Sequence, residues 1–259
     1  SNSNRALTAG GGTNAASRVD DITYFTCATQ GSTGDFGDLI NAVQQMAACC
    51  DGAANTDRAC IAGGNYDGRR ISYVTVSTTG NAQNFGNLTA PAGDVKNHAS
   101  AADDTRGLFL GGLNSYYLSK LDNIDYITIA TPGNASDFGD LDEITNQNTA
   151  CSNKTRALNW CGLQGTSIGV KVDTIQYVTI QTLGNAIDFG DANNALGLGA
   201  ACSNGVYGLM GGGAIGAGTT FTRINNIDYV IMDTTGNATD FGDLNNAVNS
   251  HTSAAGRAA

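Results

Sequence analysis

The chain has little of what catalytic and nucleic-acid-binding proteins use. Across its 259 residues there are 13 Lys and Arg against 23 Asp and Glu, a net charge of −10, and only Arg69-Arg70 forms a basic pair. Clustered cations that would neutralise phosphates are therefore missing, and no nucleic-acid partner is expected. Prolines number two and no G-X-Y triplet runs through the sequence, which removes the collagen-like reading. No apolar run approaches the roughly 20 residues a membrane-spanning helix needs, so no membrane partner is expected. Histidines number two, His98 and His251, and neither G-x-S-x-G nor H-E-x-x-H occurs. The seven cysteines are odd in number, irregularly spaced and free of any C-x-x-C pair. They read as small buried thiols made in a reducing compartment rather than as a disulfide framework.

What is present is repetition. Gly80–Leu88, Gly133–Leu141, Gly184–Ala192 and Gly236–Leu244 carry G-N-A-x-[DN]-F-G-[DN]-[LA], and Gly31–Leu39 is a worn copy, GSTGDFGDL. The phenylalanines Phe36, Phe85, Phe138, Phe189 and Phe241 are spaced by 49, 53, 51 and 52 residues, and Tyr24, Tyr73, Tyr126, Tyr177 and Tyr229 keep step with them. Glycine, at 35 residues, is about twice its usual share, and charged residues make up only 14%. A period near 50 in a turn-rich chain predicts an all-β fold: one β-propeller domain over residues 1–259, five repeats of about 51 residues, four antiparallel strands each.

Asn97–Leu141 serves as the model unit. Residues 98–102 suit an innermost strand, 106–110 a second strand ended by Gly111-Gly112, 124–129 a β-branched and aromatic third strand, and 135–141 an outer one. The doublet recurs at Gly10-Gly11, Gly63-Gly64 and Gly211-Gly212, with Cys161-Gly162 as a variant. Arg5, Arg58, Arg106, Arg156 and Arg257 precede second strands, and Val206 breaks the series. The chain starts on a second strand and ends after an innermost one (His251–Ala255), so N- and C-terminal strands are expected to share a blade and close the ring.

The strand ending in Gly-Gly, the tyrosine strand and the period near 50 resemble kelch-type propellers. The fuller pattern, R-G-x-x-x-G-G, then I-D-Y-V-T-I, then T-G-N-A-T-D-F-G-D-L, is similar to repeat proteins found among the structural proteins of tailed phages. The resemblance covers essentially the whole chain and is poorest in the first unit. It implies a virion protein made in the host cytoplasm, such as a tail fibre or decoration protein; an extracellular location is the alternative. It supplies no catalytic residues.

Chemistry is sparse. The pairs Asp35/Asp38, Asp137/Asp140, Asp188/Asp191 and Asp240/Asp243 invite a calcium reading, but one copy is Asn84/Asn87. Local turn bonds are the expected role, and no metal or cofactor is predicted. Cys49, Ser100, Cys151, Cys202 and Ser253 are assigned one position on the innermost strands, with His98 and His251 two residues before the serines. Either a zinc site or small side chains at an axis, with histidines facing channel water, would explain them; the second is expected. The sequons at Asn87, Asn134, Asn153 and Asn237 follow mainly from the repeat consensus. Asn65–Arg70, Leu113–Asn123, Leu163–Thr174 and Gly213–Asn226 differ most between units and read as loops on one face. Tyr66, Arg69, Tyr116, Tyr117 and Phe221 are the candidate ligand-binding residues there. The expectation is a non-enzymatic structural or adhesion module that binds a cell-surface glycan or another virion protein. An extracellular polysaccharide-acting enzyme, whose two carboxylates leave no local motif, and a self-assembling propeller subunit are the rival readings.

Overall fold

The computed structural model describes residues 4–12, 17–50, 56–165, 169–216 and 221–250. Among them every regular element is a β-strand, and every strand pair is antiparallel. The first unit contributes β1 (Arg5–Ala9), β2 (Asp21–Thr26) and β3 (Gly34–Asp38). The second comprises β4 (Ala47–Cys50), β5 (Arg58–Ala62), β6 (Arg70–Thr75) and β7 (Gln83–Asn87), followed by the short β8 (Val95–Lys96). The third is β9 (Ala99–Ala102), β10 (Arg106–Asn114), β11 (Ser119–Thr128) and β12 (Ser136–Asn146), and the fourth β13 (Thr149–Ser152), β14 (Arg156–Gln164), β15 (Val170–Thr179) and β16 (Ile187–Leu196). The fifth has β17 (Ala200–Ser203), β18 (Tyr207–Gly211), the short β19 (Ala214–Ile215), β20 (Thr222–Ile231) and β21 (Thr239–Val248). Innermost strands β4, β9, β13 and β17 lie side by side. No closed ring is seen among the described residues. His251, Ser253 and Arg257 lie outside them.

Two expectations are corrected. The glycine doublet does not end the second strand in the third and fourth units. Gly111 and Gly112 (φ 63° and 110°) form a bulge, and β10 continues to Asn114. Cys161 (φ 52°) and Gly162 do the same in β14. Positive φ is why glycine recurs there, since a side chain is strained in that region. Much of the variable segments 113–123 and 163–174 is consequently hairpin strand rather than loop, with only the tip irregular.

Each unit packs its tyrosine edge-on against its phenylalanine, with ring centroids 5.8 to 6.3 Å apart. Units are joined by a repeated junction. At the first, Gly80 N–H donates to Phe36 O (2.7 Å) and Ala82 N–H to Asp38 O (2.8 Å). The third and fourth repeat both bonds, through Gly184 and Ala186, then Gly236 and Ala238; at the second, Ala135 N–H donates to Asn87 O (2.9 Å). The intervening asparagine accepts from the same stretch: Asn81, Asn134, Asn185 and Asn237 Oδ1 lie 3.0 to 3.1 Å from the backbone N of Asp38, Asn87, Asp140 and Asp191. This explains the G-N-A consensus. Its asparagine supplies an acceptor and its alanine a donor N–H, while the glycine after phenylalanine lets the two backbones touch.

Arginine staples the other side of each junction. The guanidinium groups of Arg5, Arg58, Arg106 and Arg156 lie 4.5 to 4.8 Å from the ring centres of Tyr24, Tyr73, Tyr126 and Tyr177. Each also donates to a carbonyl of the following unit, at Ser77, Ala130, Ile180 and Met232 respectively. Strand register shows which residue of the fifth unit replaces them. Arg106 pairs with Thr128 and Arg156 with Thr179, while Tyr207 pairs with Ile231. Tyr207, not Val206, therefore holds the arginine position.

Backbone contact makes a sharp prediction. A Cβ on Gly86 would stand 2.1 Å from Gly133 O, whereas one on Gly133 would meet nothing within 4 Å. Gly86→Ala is expected to cost about 2–3 kcal/mol in chemical denaturation, and Gly133→Ala less than about 0.5 kcal/mol.

Candidate binding surface

The tips of the second-to-third-strand hairpins are tied together along one edge. Asp94 accepts from Tyr66 N–H (2.9 Å) and Gly68 N–H (3.0 Å) in the second unit, while its carbonyl accepts from Ser115 N–H (2.9 Å) in the third. Lys120 then donates to Gln164 O (3.2 Å) and Gly165 O in the fourth, and Lys171 to Gly216 O (2.9 Å) in the fifth. Burial pulls both lysine pKa values down.

Four of the five candidate residues stand out from this edge. Tyr66 is 68% exposed, and the Arg18 guanidinium lies 3.7 Å from its ring centre. Tyr116 and Tyr117 are 75% and 56% exposed and meet edge-to-face at 4.9 Å. Phe221 is exposed, with Lys171 Nζ and the Arg223 guanidinium 5.8 and 5.7 Å from its ring centre. Arg69 differs: its guanidinium is turned inward to Ala90 O (2.7 Å), where it positions the connection to the next unit.

The tyrosine pair is held by a residue that sequence reasoning passed over. Asn114 ends β10 fully buried, and its Oδ1 accepts from the N–H groups of Tyr116 (3.1 Å) and Tyr117 (3.2 Å). Its Nδ2 donates to Pro91 O (3.2 Å), which fixes the amide. The run Asn114-Ser-Tyr-Tyr117 is an Asx turn, and an asparagine directly before the tip was the legible signal. Two rings are thus presented to solvent on a preset backbone, an arrangement suited to stacking on a flat apolar face.

The acidic motif is occupied by the scaffold. Asp35 and Asp240 Oδ1 accept from Gly37 N–H (3.2 Å) and Gly242 N–H (3.1 Å), the expected turn bonds. Among the described residues no group of three or more His, Cys, Asp or Glu is placed to hold a metal ion. The I-D-Y acid belongs to the junctions as well: Asp125 accepts from the Thr89 N–H (2.8 Å) and hydroxyl, and Asp228 from Asn193 N–H (3.0 Å). Burial pushes the Asp125 carboxyl up from its usual range.

The innermost strands differ from expectation in two respects. Cys151 pairs with Leu158 and Cys202 with Leu209, while Leu108 pairs with Ala101; Ala101, not Ser100, shares the cysteine position. Ser100 instead donates to Ala48 O (2.7 Å) on the neighbouring innermost strand. His98 faces no channel water. It is buried against Phe109, ring centroids 6.0 Å apart, and neither ring nitrogen has a well-formed hydrogen bond.

No known family model matches the chain, and no curated protein shows significant similarity to it.

His98 makes folding acid-sensitive. Burial lowers its pKa from 6.5 to about 4, with a weak opposing effect from the Ala62 backbone. The unfolded chain therefore binds the extra proton between these values, and stability falls as pH drops through 6.5 toward 4. The loss attributable to this ring is about 3 kcal/mol. Asn148 occupies the equivalent position of the next unit. Urea midpoints measured from pH 7 to 4 should fall less steeply in His98→Asn than in the parent.

Proposed function

We propose that the chain is a non-catalytic structural or adhesion module that binds a cell-surface glycan through its hairpin tips. The exposed Tyr116–Tyr117 pair, set on a turn fixed by buried Asn114, carries this reading. Rings that serve only a core would be covered, and rings on a floppy tip would lose entropy on binding; these are exposed and preorganised. Assignment to a phage particle, as a tail fibre or decoration protein, rests on the resemblance of the repeat to tailed-phage structural proteins.

The architecture in this proposal is a five-bladed, kelch-like propeller closed by its terminal strands. A succession of left-handed residues supports it. Gln45, Asn97, Gln147, Leu198 and Ser250 have φ between 54° and 65°, and the first four each stand two residues before an innermost strand. Asn97 N–H donates to Gln45 O, Gln147 N–H to Asn97 O, Leu198 N–H to Gln147 O and Ser250 N–H to Leu198 O.

Purified protein on a broad glycan array, with calcium and again with EDTA, tests the binding reading. Selective binding is expected in both conditions. Tyr116→Ala and Tyr117→Ala should each weaken it by about 10-fold or more without changing the unfolding midpoint. Failure to bind any glycan, or binding that both variants retain, would refute it.

A further inference from the structure

The four junctions have a fifth counterpart that is half built. Phe36, Phe85, Phe138 and Phe189 are 2–3% exposed because the following unit covers them, while Phe241 is 63% exposed. Val206, Tyr207 and Ile231 of the same unit are also exposed. A Cβ on Gly37, Gly139 or Gly190 would strike the next unit's glycine; one on Gly242 would meet nothing within 4 Å. The trailing face of the fifth unit thus carries the junction's Phe-Gly-Asp surface without an occupant among the described residues.

The leading edge of the first unit is the matching orphan. Gly31 stands where Gly80, Gly184 and Gly236 donate their N–H groups to the preceding unit's phenylalanine carbonyl. Its φ is not left-handed, so local conformation does not demand glycine there. Cys27, exposed, sits where Val76, Ile129, Ile180 and Met232 are fully buried beneath the arginine staple. The two sides depart from the consensus together. The arginine is replaced by Tyr207, already edge-on to Tyr229 at 5.9 Å, and the large apolar residue opposite by a cysteine. An aromatic ring facing a small side chain fills the same gap that an arginine and an isoleucine fill elsewhere.

We propose that the apolar trailing face of the fifth unit is the docking surface for the first unit of the same chain, forming a seam chemically distinct from the four other junctions. This inference rests on the closed-ring reading above. The established junctions supply the chemistry: Gly31 N–H donates to Phe241 O, Thr33 N–H to Asp243 O, and the Tyr207 ring covers Cys27. One chain carries both surfaces, so the intramolecular pairing has the higher effective concentration.

Position 206 is the site for a test. Its equivalent in the third unit, Thr105, has its hydroxyl 2.8 Å from Gln181 Nε2, and Gln181 corresponds to Ala28. In full-length protein, Val206→Cys together with Ala28→Cys should form an intramolecular link with a short bismaleimide, identified by peptide mapping at monomer mass. Phe241→Ala should lower the unfolding midpoint as much as Phe138→Ala does. Links found only in dimers would overturn the inference in favour of a second copy. No link in a protein whose X-ray scattering fits a closed annulus would overturn the seam but keep the ring. No link with scattering of an open arc would overturn both. A Phe241→Ala midpoint equal to that of the parent would also overturn the seam.

Discussion

Close approach of two backbones at each junction is the constraint on which the rest depends. Gly86 leaves no room for a side chain against Gly133, and Gly139 and Gly190 meet Gly184 and Gly236 equally closely. That proximity brings a paired backbone bond, an asparagine acceptor and a buried phenylalanine into one contact. A single unit, with three to five strands, cannot cover its own phenylalanine. Its neighbour does so, and stability becomes a sum over nearest-neighbour contacts. The arginines add a second fastening, each stacked on the tyrosine that meets the junction phenylalanine and hydrogen-bonded to the next unit.

This division of labour frees the hairpin tips. Residues that repeat are spent on junctions: the Phe-Gly-Asp box, the stapling arginine, the buried acid at Asp125 and Asp228. Residues that do not repeat gather at the tips, where Asp94, Lys120 and Lys171 tie one unit's tip to the next through backbone carbonyls and amides. The tips are thereby held at both ends while their aromatic rings remain in solvent. A binding surface can then vary from one tip to another at no cost to the scaffold, which is the logic of placing recognition on loops over a rigid frame.

Much of the all-β organisation was legible because junction chemistry repeats at fixed spacing. The tyrosine and phenylalanine series identify the strands that contact one another, and Asp35 and Asp240 make the local turn bonds expected of the acidic motif. Register was less legible. Tyr207 was overlooked because the series had been followed by residue type, whereas its ladder partner Ile231 is what places it. Ser100 was misassigned for the same reason: it alternates to the other side of its strand from the cysteines, and a one-residue slip exchanges the faces. The glycine doublets end β1, β5 and β18 as expected, whereas in β10 and β14 the same positive φ values make a bulge that carries the strand onward. Of the candidate surface, the exposed rings could be named in advance. Their support by Asn114, and the inward turn of Arg69, depend on three-dimensional partners that sequence spacing does not encode.

Native-state amide hydrogen exchange on the intact chain tests the central role of the junctions most directly. The amides of Gly80, Ala82, Ala135, Gly184, Ala186, Gly236 and Ala238 lie outside the regular strands, and each donates across a junction. The account predicts that they are protected as strongly as the strand amides of their own units and open with them. Near-unprotected exchange at these seven positions, with the strands still protected, would contradict it and leave weakly tethered sheets in place of one coupled scaffold.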